Sequence, residues 1–137
     1  MSLLPDRLTP IPLEDGLRAL ATGYRLSLGS DPVSAAQLAC LGAQLCLESG
    51  NFKKGHCFNW GNRKARDDDA FTCTFGCDEI FDTQTAARAR QRGPCDVRPW
   101  HDAQDGSKRF RVILPAGHPW AMFAAFATAE DGARDYC

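Results

Sequence analysis

A chain of 137 residues fits one domain with a single core. Hydrophobic residues at 44% against 24% charged are enough to offset the entropy of folding, which excludes wholesale disorder, and a formal net charge of -1 excludes a nucleic-acid partner held by counterion release. No stretch approaches the roughly 20 apolar residues of a membrane span, and Met1 to Arg7 lack the basic segment and apolar run of a secretory leader. The expectation is therefore a protein made in the cytoplasm without a signal peptide.

After an N-terminal arm over residues 1–12, apolar residues recur at three- and four-residue spacing through Leu13, Leu17, Leu20 or Ala21, Tyr24 and Leu28. This predicts an amphipathic helix from Leu13 to Leu28, with Glu14 and Asp15 in its first turn and Gly29 just past its end. A second helix is expected to open at Ser30-Asp31-Pro32, capped by Asp31 with Pro32 in the first turn, and to stop near Glu48-Ser49-Gly50. Its small residues Ala35, Ala36, Ala39, Gly42 and Ala43 point to close approach by neighbours and hence to a central, buried position.

From Asn51 to Ala70 periodicity gives way to Gly, Asn, Lys and Asp around Cys57-Phe58-Asn59-Trp60, a structured loop. Phe71 to Phe75 and Asp78 to Phe81 read as two strands of a hairpin around Gly76. The polar stretch from Thr83 to Gln104 is either a short helix or a surface excursion. Arg109 to Leu114 alternates as a strand, Pro115 to Pro119 turns the chain, Met122 to Phe126 is apolar, and Thr128 caps a last helix.

Seven cysteines, Cys40, Cys46, Cys57, Cys73, Cys77, Cys95 and Cys137, cannot all pair within one chain. Without an export signal most are expected as thiols, with Cys40 and Cys46 as shielded apolar fillers and Cys73–Cys77, across the turn at Gly76, as the one expected pair. A cysteine nucleophile is disfavoured, because Cys40 and Cys46 fall inside or late in their helix, away from the dipole that lowers a thiol pKa. A zinc site from His56, Cys57, Cys73, Cys77 and Cys95 has suitable donors, but the Cys73-x-x-x-Cys77 spacing lacks a partner pair, so no metal and no cofactor are expected. Lys53, Lys54, Arg63, Lys64 and Arg66 read as a solvated face balanced by Asp67-Asp68-Asp69.

The chemistry-bearing residues gather where the second helix meets the loop. Glu48 is followed by Asn51-Phe52 and by Phe58-Asn59-Trp60-Gly61-Asn62, bringing a carboxyl, aromatics and amides together. Aromatic faces and amides suit a sugar, and a carboxylic acid among apolar rings keeps its proton for donation to a glycosidic oxygen. Gln44-Leu45-Cys46-Leu47-Glu48-Ser49-Gly50 resembles the Q-x-x-x-E-[ST]-G helix end of the glucosaminidase family of bacterial cell-wall hydrolases, which includes flagellar muramidases, autolysins and phage lysins. Phe58-Asn59-Trp60-Gly61-Asn62-Arg63-Lys64 is similar to that family's N-x-[FG]-G-N segment, and Cys73 to Ile80 to its hairpin with a second carboxylate. His118 to Ala127 followed by Ala129 to Tyr136 resembles its last helix, and the matches run in family order over residues 33–137.

The resemblance implies an α+β, lysozyme-like fold over a single domain, 1–137: a mainly helical lobe beside a small β-hairpin lobe, with peptidoglycan strands between them. It implies cleavage of the β-1,4 glycan with Glu48 as general acid, Glu79 or, behind it, Asp78 as second carboxylate, and Tyr136 bonding the sugar's N-acetyl group or the water. Phe58, Asn59, Trp60 and Asn62 would hold substrate. Action at the bacterial cell wall, after lysis or from a virion, follows from the same resemblance. Family members continue beyond this last helix, so the C-terminal part of the domain is expected to be missing, or its place taken by a second chain or virion subunit. The alternative is a lysozyme-fold component of a phage tail that contacts the wall without turnover.

Overall fold

A computed structural model of the chain describes residues 2–29 and 34–137. Among them are β1 (Ser2–Leu3), α1 (Leu13–Leu28), α2 (Ala35–Ser49), β2 (Phe71–Thr74), β3 (Cys77–Asp82), α3 (Thr83–Arg92), β4 (Asp96–Pro99), β5 (Arg109–Leu114), β6 (Met122–Ala125) and α4 (Ala129–Tyr136). The class is α+β. The chain divides into two compact units, Met1–Cys73 with Phe123–Cys137, and Thr74–Met122. No helix among the described residues is long and apolar enough to cross a membrane.

In the first unit, α1 has the bounds that its periodicity predicts, and Gly29 closes it in the left-handed conformation with its N–H bonded to the Arg25 carbonyl. Its buried face keeps Leu20 of the predicted stripe and differs in the rest. Gly16, Ala19, Leu20 and Gly23 face inward, whereas Leu13, Leu17 and Leu28 are exposed. The reason is contact distance: a Cβ at Gly23 would stand 2.5 Å from the backbone nitrogen of Arg134, so the bare glycine lets α4 lie directly on α1.

Helix α2 begins after Ser34, whose hydroxyl accepts from the Gln37 N–H in a capping box completed by the Gln37 side chain. The cap is thus Ser34 rather than Asp31; Asp31 and Pro32 lie outside the described residues. Nor is α2 central and buried. Only Gly42, Leu45 and Ser49 are fully covered and Leu47 is 86% exposed, because its small and apolar residues surround the axis and only one narrow stripe meets the core. That core gathers Ala19, Leu20, Leu45, Phe52, Trp60 and Ala133.

The loop after α2 is ordered by five non-glycine residues with positive φ: Asn51, Phe52, Cys57, Phe58 and Asn62. The three-stranded sheet β1-β2-β6 completes this unit, with β1 and β2 parallel, Ser2 opposite Phe71 and Leu3 opposite Thr72. Helix α4 is capped by Thr128, as its sequence predicts, through the Asp131 N–H.

The second unit is the sheet β3-β5-β4, with β5 central and antiparallel to both neighbours, packed with α3. Asp82 caps α3 through the Thr85 N–H at 2.7 Å, settling the predicted choice at Thr83 in favour of a helix. His118 is buried, its Nδ1 accepting from the Trp120 N–H and its Nε2 donating to the Ala89 carbonyl at 3.1 Å, which ties α3 to the turn at Pro119–Ala121. The predicted hairpin does not form: β2 belongs to one sheet and β3 to the other. A two-residue hairpin turn requires positive φ, and Gly76 is not among the positive-φ glycines, Gly29, Gly50, Gly106 and Gly117.

Candidate active site

The last turn of α2 sends its side chains to opposite sides. Ser49 points inward, its hydroxyl donating to the Leu45 carbonyl at 2.6 Å and accepting the Phe52 N–H at 2.9 Å. Successive left-handed conformations at Gly50, Asn51 and Phe52 then fold the chain back and drop the Phe52 ring into the core. Glu48 is left on the outer side, exposed to solvent and not enclosed by rings as the sequence reading expects, because Phe52 and Trp60 are turned inward. Gln44, one turn earlier, donates to its carboxylate at 3.2 Å.

The Tyr136 phenol stands beside Glu48, bringing the ends of α2 and α4 together. The phenol is held above the usual tyrosine range, first by burial, then by the negative charge of Glu48. Its ring lies over Gly61, where a Cβ would meet it at 3.0 Å. A cavity of about 190 Å³ opens beside the ring, lined by Asn59, Gly61, Arg63, Gly132, Asp135 and Tyr136.

The four residues expected to hold substrate occupy different environments. Trp60 is 1% exposed, stacked edge-on against Phe52 at 4.9 Å and Phe58 at 6.2 Å, so it is a core residue and has no face to offer a sugar. Asn59 is also buried, and its amide is consumed by the loop, donating to the Arg63 carbonyl at 2.8 Å and accepting the Arg63 N–H at 2.9 Å. Phe58 is half-buried, with its carbonyl oxygen 2.1 Å from where a Gly132 Cβ would stand; only glycine fits at that helix–loop crossing. Asn62 is exposed, with φ +49°.

Arg63 organises this end of the unit. It grips Asp69 through both terminal nitrogens at 2.5 and 3.1 Å, reaches Asp135 through Nε at 2.7 Å, and stands 5.9 Å from the Phe126 ring. The Asp69 carboxyl falls below its ordinary 3.8, chiefly through the Arg63 hydrogen bond and against the opposing effect of burial. Reading the basic run as a solvated face misses this role. The signal available was the Asp67-Asp68-Asp69 run that follows the basic residues.

A carboxyl whose folded pKa is depressed contributes stability that is fully present above its unfolded pKa and lost as pH falls through the folded one. Arg63→Ala, which strands Asp69 and Asp135, is expected to cost about 2–3 kcal/mol at neutral pH. The gap from wild type should narrow as pH falls below the usual carboxylate range. Urea unfolding at pH 7 and in acid checks this; equal midpoints at pH 7 would remove Arg63 from the stability of this unit.

The two candidates for a second carboxylate lie on β3 in the other unit. Glu79 shares the half-buried face with Cys77, whose thiol is 4.0 Å from its carboxylate, and with Phe81, which packs on Trp120. Asp78 is on the exposed face, ion-paired with Arg111 and bonded to its Nε at 2.9 Å. All seven cysteines are thiols; Cys73 and Cys77 are not bridged, Cys40 is exposed and not a shielded filler, and Cys46 is half-buried. Among the described residues no three His, Cys, Asp or Glu side chains converge as a metal site. No family model, no curated protein and no solved structure matches the chain.

Proposed function

We propose that this chain is a peptidoglycan hydrolase of lysozyme-like fold that cleaves the β-1,4 glycan backbone, with Glu48 as the general acid. The observation that supports this most is the proximity of Tyr136 to Glu48, which brings together the two segments whose sequences resemble the glucosaminidase family, at a helix end beside a cavity. A glycan lying over the last turn of α2 would displace water from Glu48, the condition under which a carboxylic acid keeps its proton for a glycosidic oxygen. Tyr136 then stands beside the carboxyl, and Asn62, exposed to solvent, is the substrate-contacting member of the loop. By the same resemblance the second carboxylate is Glu79, with Asp78 behind it; Glu79→Gln and Asp78→Asn report which one takes part.

A second reading, a wall-binding component of a phage tail without turnover, is favoured by the solvent exposure of Glu48. Zymography on purified cell walls separates the two. The hydrolase clears a band, whereas the binding component is retained by walls and clears none.

A further inference from the structure

The Cys57 and Cys73 side chains are neighbours in the interior of the first unit, at 1% and 0% exposure. Contacts on two sides hold them there. The Cys57 carbonyl accepts the Phe126 N–H at 2.9 Å, and the Cys73 thiol points at the Ala124 carbonyl at 3.8 Å, so both cysteines flank the same strand end. The N-terminal arm covers them from the other side: the Leu4 N–H bonds the Thr72 carbonyl at 2.7 Å, the Cys57 N–H bonds the Arg7 carbonyl at 2.9 Å, and the Cys57 thiol points at the Pro5 carbonyl at 3.5 Å.

We infer that Cys57 and Cys73 are a reversible dithiol–disulfide pair that locks the loop carrying Phe58 to Arg63 onto β2 in an oxidising environment. The oxidant is a low-molecular-weight disulfide. One cysteine thiolate attacks a sulfur of that disulfide and releases one small thiol, leaving a mixed disulfide. The second cysteine thiolate attacks the protein sulfur of that intermediate, forming the Cys57–Cys73 bond and releasing the other small thiol. Two protein thiols are oxidised and one small disulfide is reduced.

Access comes through the arm, since β1 is only two residues long and its lifting uncovers the pair. While the arm is seated Cys73 is inert at neutral pH, because burial pushes its thiol up to about 12 and the thiolate is the reactive form. The bond would join two segments of the unit that carries Glu48, but its formation does not depend on the hydrolase reading.

The test is to equilibrate the folded protein with oxidised and reduced glutathione, block remaining thiols under denaturing conditions, and map tryptic peptides with and without reduction. The expected product links the peptide Gly55–Arg63 to the peptide Asp67–Arg88, with fragmentation placing the bond on Cys73. Cys77→Ser should keep the link and Cys73→Ser should abolish it. The oxidised form should melt on the order of 5–10 °C higher than the reduced form. An internal Cys73–Cys77 bond within Asp67–Arg88, a different partner, or seven blocked thiols at every glutathione ratio would each overturn the inference.

Discussion

Replacing Glu48 by glutamine is expected to lower hydrolysis of purified cell walls by about 10²–10⁴-fold, the usual contribution of a general acid, with the unfolding midpoint unchanged. The substitution removes the transferable proton and little else. Glutamine has the same shape, its amide oxygen still accepts from Gln44, and the position is exposed, so no packing is lost. Measuring both wall clearing and urea unfolding separates a chemical role from a structural one. Unchanged clearing by the folded variant would remove Glu48 from the mechanism.

Trp60→Ala is expected to cost about 3–5 kcal/mol of stability, the range for emptying a buried aromatic site. The ring fills the space between Phe52 and Phe58 and lies directly against Gly55, where a Cβ would meet it at 2.2 Å, so the loop cannot collapse into the void without moving backbone. Trp60→Phe should cost much less: the indole N–H has no hydrogen-bond partner among the described residues, and an aromatic remains. A sugar platform behaves in the opposite way, with stability kept and substrate affinity lost on either change. Denaturant titration of both variants decides between core and platform.

The elements that could be read from the chain are those fixed by neighbours in sequence. Helix α1 keeps its predicted bounds because periodicity, first-turn acids and the Gly29 cap all act locally, and Thr128 caps α4 for the same reason. Strand β5 also matches, its alternation leaving Val112 and Leu114 on the covered face. What was not legible depends on partners far away. The inward face of α1 is set by how closely α4 and Phe52 approach Gly23 and Gly16, and glycine carries no hydrophobic signal. Strand β2 looks like half of a hairpin until β1 is known to pair with it, and β4 is concealed by its charged residues and Pro99, which an edge strand tolerates.

Within the candidate site, the meeting of Glu48 and Tyr136 is consistent with the order of the sequence motifs, while the environments of Trp60 and Asn59 are not. An aromatic and an amide near a carboxylate look alike in sequence whether they face a ligand or a core. Left-handed backbone at Cys57, Phe58 and Asn62 sends neighbouring residues in different directions, so that Trp60 enters the core while Asn62 stays in solvent. Arg63 shows the same limit for charge, since its two carboxylate partners come from the following loop and from α4.

If this chain breaks glycosidic bonds, purified, protein-free peptidoglycan incubated with the isolated protein releases new reducing ends, and that release is the quantity to measure. Hydrolysis predicts a time-dependent rise in reducing ends, with soluble disaccharide-containing fragments identified by mass spectrometry and neither seen with Glu48→Gln. Folded wild-type protein that binds the walls and releases no reducing ends would contradict it.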